Sequence, residues 1–290
     1  MGRVGEGGMM VNSPLAFTSD VEKEQILRLL SDEPLFVPDL WGYVEPLKSK
    51  FSAEEIPRII LGWTQNVFWK RKRSPKAEGS AWSDWSDWPK HGWLVLDGLN
   101  FHVAASSIVS FLERAANALV ADFGVAHMVA PHEIESGQAS KTVMDGNLGV
   151  TTHQLRKYIP DLYWVTVFGE PYVELFGKER LLSVPAYLVK ELDYGGVWIQ
   201  LCESPLEFVS DYERVNRSRQ QAKEHLGLNA FFDFTKWLSA REVTSMSDYY
   251  ERRQDLVVAE NFQGYVPPNE HQYDVPDFKL RERRREMYGF

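Results

Sequence analysis

A single cysteine, Cys202, in 290 residues rules out any intramolecular disulfide. The fold must therefore be held by buried apolar surface and backbone hydrogen bonds. The chain is long enough for that, since a protein of this size buries roughly 75% of its unfolded surface. Apolar residues at 44% and charged residues at 25% are ordinary for a globular chain and exclude a disordered one.

The same constraint decides how the most conspicuous string is read. Residues 81–93, AWSDWSDWPKHGW, carry Trp82, Trp85 and Trp88 at a three-residue repeat. Similar strings form the WSxWS box of cytokine receptors and the ladder of thrombospondin type 1 repeats. Those modules depend on several disulfides, so neither reading survives one cysteine. Two uses of the indoles stay open: a satellite cluster folded onto the domain, or a surface where Asp84 and Asp87 sit beside them. Tryptophan flanked by carboxylates suits a basic protein partner.

No continuous apolar segment of signal-peptide length occurs near Met1, and no run approaches the ~20 apolar residues of a membrane span. The expectation is a soluble, cytoplasmic protein without membrane contact. A net charge of −9 argues against general nucleic-acid binding and leaves room for a basic protein partner. The basic run Lys70–Arg73 is read as a solvated part of a long surface loop over 70–92.

Local patterns supply the elements. Ser19 and Glu22 form a capping box that starts a helix, and Ser52 with Glu55 repeats the pattern. Residues 58–69 could be a strand or a buried helix. A clear helix spans 104–122, with Ile108, Leu112, Ala115 and Leu119 on one face. Strands are expected at 123–130 and 162–168. A short helix at 170–177 starts near Pro171 and ends at Gly177, and a hairpin turns at Asp193–Gly196. A last helix runs from near Asp211 to Gly227, with Val215, Ala222 and Leu226 along one side. Helices and strands mix without a βαβ rhythm, which predicts an α+β domain with an antiparallel-rich sheet packed by helices. Its extent is read as 19–238, between a flexible N-terminus at 1–18 and a polar C-terminal extension at 239–290.

Few constellations carry chemistry. His127, His132 and Glu133 are the candidate metal ligands, with Glu135 beside them, but their spacing is not HExxH. No GxSxG elbow and no phosphate-binding glycine loop occurs. Cys202 lies in an apolar strand, where a thiol is usually an inert hydrophobe. The reading leans against an enzyme and calls for no cofactor. Glu133 and Glu135 join Trp82, Asp84, Trp85, Asp87 and Trp88 as candidate partner-binding residues.

One stretch resembles a known group. YIPDLYWVTVFGEPYVELFGKERLLSVPAYLVKEL (158–192), with VWIQLCESP after it and AKEHLGLNAFFD at 222–233, looks like a family of uncharacterised bacterial proteins. It also resembles predicted immunity domains of type VI secretion and polymorphic-toxin loci. The resemblance covers about 93–235 and is strongest over 158–202. It implies a small α+β protein that binds and neutralises a cognate toxin inside the producing cell. The alternatives are a metal-dependent enzyme at His127, His132 and Glu133, and a structural protein.

Overall fold

The structure, a computed structural model, describes residues 6–83, 92–131, 133, 159 and 161–231. Among them ten strands form one sheet in the order β3-β2-β4-β5-β6-β1-β7-β8-β10-β9. Every neighbouring pair is antiparallel. With helices on both faces, this is the expected α+β class. The strands are β1 (Glu6–Ser13), β2 (Leu40–Gly42), β3 (Ser49–Lys50), β4 (Asn66–Arg71) and β5 (Ala77–Trp82). They continue as β6 (Gly92–Asn100), β7 (Phe123–Met128), β8 (Val165–Phe168), β9 (Leu188–Glu191) and β10 (Val197–Gln200).

Helix α1 (Asp20–Ser31) begins at the expected capping box, with both reciprocal bonds between Ser19 and Glu22 present. At Ser52 the expectation fails, because its side chain caps nothing and only a single 3-10 turn, Ala53–Glu55, forms. The ambiguous stretch holds one element of each kind: α2 (Ile56–Gly62), then β4. Helix α3 (Phe101–Leu119) buries Ile108, Leu112, Ala115 and Leu119 as the periodicity predicts. It starts three residues early, because the Asn100 side chain accepts from the His102 N–H and caps it. Among the described residues four further helices follow: α4 (Glu170–Phe176), α5 (Lys178–Leu182), α6 (Glu207–Ser210) and α7 (Tyr212–Leu226).

Two expectations are corrected. The glycine-rich N-terminus, read as flexible, contains β1, which pairs with β6 on one side and β7 on the other. Gly7 permits that approach, since a Cβ there would lie 2.1 Å from the His127 carbonyl oxygen. The segment 70–92, read as one long loop, instead contains the end of β4 and all of β5. Gly79 hides this strand from propensity, because the Trp69 indole lies where its side chain would be. The C-terminal extension at 239–290 lies outside the described residues.

The sheet has two differently covered faces. Alternation places Val67, Ala81, Leu94, Val11, Gly124, Val167 and Trp198 on one of them. Helix α3 packs there, with Leu112 against Gly124. On the opposite face, Phe123 and Phe168 receive Tyr172 of α4, and His127 receives Phe208 of α6. Those helices cover the β7–β10 half.

Candidate functional site

Trp82, first of the indole ladder, closes β5 on the face opposite α3. Its register partner on β6 is Trp93, and its partner on β4 is Asn66. Directly opposed residues of an antiparallel pair project from the same face. Phe68 shares that face, its ring 5.5 Å from Trp82 in an edge-on packing. The Trp82 Nε1–H donates to Ser80 Oγ at 2.8 Å, which orients the indole along the strand. All three aromatics are half-buried, whereas their in-facing neighbours Val67, Ala81 and Leu94 are fully buried. This is a patch of three large rings on a rigid sheet, where ordering them costs little further entropy. Asp84, Trp85, Asp87 and Trp88 follow directly in the chain and lie outside the described residues.

The histidine–glutamate cluster is organised differently. His127 stands on β7 at 1% exposure, and the Glu133 carboxylate comes back to it from the following segment. His127 Nε2 lies 3.0 Å from Glu133 Oε2. The Trp164 backbone N–H donates to His127 Nδ1 at 3.3 Å. An amide can only donate, so Nδ1 must accept and Nε2 carries the proton toward Glu133. Glu133 Oε2 also accepts the Ala130 N–H at 2.9 Å, and Oε1 accepts from Arg219 Nη1 of α7 at 3.0 Å. Arg219 is itself buried, bonded to Asn216 and to the Tyr212 hydroxyl, and 3.7 Å from Asp161. Lys223 completes the set 2.9 Å from Asp161.

Electrostatics follow from this packing. Burial pushes the Glu133 carboxyl up, but the His127 ring, the Arg219 guanidinium and the Ala130 N–H outweigh it and hold the group at about 2. Burial likewise draws the Arg219 guanidinium down, while Asp161 and Glu133 more than restore it, so it stays cationic. Asp161 is held below its ordinary value by Lys223 and Arg219 against its own desolvation.

Both ring nitrogens of His127 and both oxygens of Glu133 are therefore engaged by protein groups. A metal ion would have to displace the Trp164 amide, the Ala130 amide or Arg219 to be bound by this pair. Among the described residues no group of three or more histidines, cysteines or carboxylates is arranged to hold an ion. Glu133, expected to face a partner, is 3% exposed and turned inward. His132 and Glu135 lie outside the described residues. Burial pushes the Cys202 thiol up to about 12, and Sγ donates to the Ser204 carbonyl, so it is no nucleophile at neutral pH.

Sequence reasoning missed Arg219. The signal was present: Val215, Arg219, Ala222 and Leu226 recur at helical spacing, so an arginine occupies the apolar stripe of α7. An arginine at such a position needs a buried acid.

No helix among the described residues is long and apolar enough to cross a membrane. No family model matches the chain, and no curated protein matches it. Among solved structures, the chain is similar to the Pseudomonas aeruginosa T6SS protein PA0821 at 10% identity and a TM-score of 0.48. That alignment covers 83% of this chain and 90% of the other.

Proposed function

We propose that this chain is a non-enzymatic protein-binding module of the immunity type, which neutralises a cognate bacterial toxin in the cytoplasm. The observation that carries the reading is the half-buried aromatic patch of Phe68, Trp82 and Trp93, on rigid strands leading straight into the Trp85 and Trp88 segment. Aromatic anchors on a rigid scaffold are the commonest energetic centre of a protein interface. Asp84 and Asp87 add carboxylates beside the rings, and a net charge of −9 would speed encounter with a basic partner. The groups that could have served catalysis, His127 and Glu133, are spent on fixing the fold.

The test is rescue. The neighbouring open reading frame is induced in a bacterial host with and without this chain, and complex formation is followed by co-purification. Restored growth with a one-to-one complex, both lost in Trp82→Ala/Trp85→Ala/Trp88→Ala, supports the reading. A harmless neighbour that does not co-purify would overturn it.

A further inference from the structure

The β4–β5 hairpin end, at the opposite end of these strands from Trp82, forms a cleft of about 410 Å³ lined by Lys70, Arg71, Lys72, Lys76, Glu78 and Gly98. This volume lies within the ~300–1,000 Å³ of small-ligand pockets. Four cations face one carboxylate in an otherwise acidic protein. Glu78 is already engaged by Lys70 at 2.7 Å. The side chains of Lys72 and Lys76 are exposed, and neither has an ion-pair partner among the described residues.

Arg71 supplies an independent observation. It is 6% exposed, yet its guanidinium contacts only carbonyl oxygens: Pro75 through Nε at 2.9 Å, Val37 through Nη1 at 3.1 Å and Ser74 through Nη2 at 3.5 Å. No carboxylate of the described residues lies within ion-pair distance of it. Burial and the neighbouring Arg73 pull its basicity down, while Asp39 opposes them. Asp39 is committed elsewhere: it accepts the Lys72 and Arg73 backbone N–H groups and pairs with Arg73 at 3.2 Å. Those bonds fix the hairpin loop that presents Lys72 and Lys76. Gly98, at φ +66°, has open space where a side chain would project, which leaves the cleft floor clear.

We propose that this cleft binds the phosphate group of a small anionic ligand, with Lys72 and Lys76 gripping the oxygens and Arg71 supplying a fixed charge behind them. The Arg71 charge is offset by carbonyl dipoles and by Asp39 without a direct ion pair, and lysine and arginine donors to phosphate form charge-assisted bonds.

The test is calorimetric titration of the full chain with pyrophosphate and with inorganic phosphate, at ionic strength held constant with chloride. The expected result is saturable one-to-one binding of pyrophosphate. Lys72→Ala/Lys76→Ala changes only exposed side chains and should weaken that binding roughly tenfold or more, with circular dichroism unchanged. Absence of saturable heat over the chloride control would overturn the proposal, as would a double variant that binds like the parent. Binding of a short single-stranded oligonucleotide but not pyrophosphate would also overturn it and assign the cleft to nucleic acid.

Discussion

One face of a single sheet is treated in two ways along its width. Over β7, β8 and β10, helices α4, α6 and α7 lie on it, and Glu133 and Asp161 beneath them are met by Arg219 and Lys223. Over β4, β5 and β6 the same face shows Phe68, Trp82 and Trp93 half-buried, and the hairpin end gathers cations with one carboxylate among them. The first half spends its polar chemistry internally, which fixes His127, Glu133 and Arg219 relative to one another. The second half keeps its aromatic rings and its cations nearer the surface, with Phe68, Trp82 and Trp93 half-buried and Lys72 and Lys76 exposed. Conspicuous residue types therefore mislead when counted alone. The histidine–glutamate pair is the more suggestive of chemistry in the sequence, yet it is the more thoroughly occupied in the fold.

The contrast can be broken most forcefully at Glu133. Glu133→Ala should cost about 3–5 kcal/mol in denaturant unfolding, because it strands the Arg219 charge in the interior. A loss under 1 kcal/mol would mean the network is not closed.

Acid should act on the same group. The Glu133 carboxyl lies lower folded, at about 2, than its ordinary 4.5. Its contribution is thus fully present above about 4.5 and lost as pH falls through about 2, amounting to about 3 kcal/mol. Unfolding free energy measured from pH 6 to pH 2 should show this slope, and Glu133→Gln should flatten it.

Across the sheet the balance should invert. Trp82→Ala should lower stability by only about 1–2 kcal/mol, as for a partly buried ring, yet weaken partner binding by ~2 kcal/mol or more. Equal small losses in both would make the patch packing alone. The smallest effect is expected at the hairpin: Lys72→Ala should leave stability within about 0.5 kcal/mol of the parent. A larger fall would place Lys72 in the fold rather than in the cleft.

Elements whose cause is local were legible in the sequence. The Ser19–Glu22 box, the α3 stripe, the Gly177 cap and the Asp193–Gly196 turn each lie within one short window. Elements whose cause is distant were not. Strand β1 looks like a flexible glycine tail until β7 is beside it, and β5 looks like a loop until Trp69 covers Gly79. The candidate site divides in the same way. The pairing of His127 with Glu133 spans six residues and was proposed as a cluster, but its third member comes from 86 residues further on. The basic run 70–73 was legible as charge. That Arg71 turns inward to carbonyls, and so changes what the run can do, depends on the approach of Val37 and Pro75.

The position of β1 has a consequence for the order of events during synthesis. The first of the ten described strands sits mid-sheet, between β6 and β7. On a ribosome adding about 5–20 residues per second, β6 begins roughly 80 residues after Ser13 and β7 roughly 110, so residues 6–13 wait some seconds for each neighbour. Until then their backbone N–H and C=O groups are met only by water or by chaperones. Once both neighbours arrive, Glu6–Ser13 acts as the seam joining an earlier-made half-sheet to a later-made one. A nascent chain halted before Phe123 would expose one side of that seam as an open strand edge. Ribosome-arrested chains of stepwise length would locate the closing event between Asn100 and Met128.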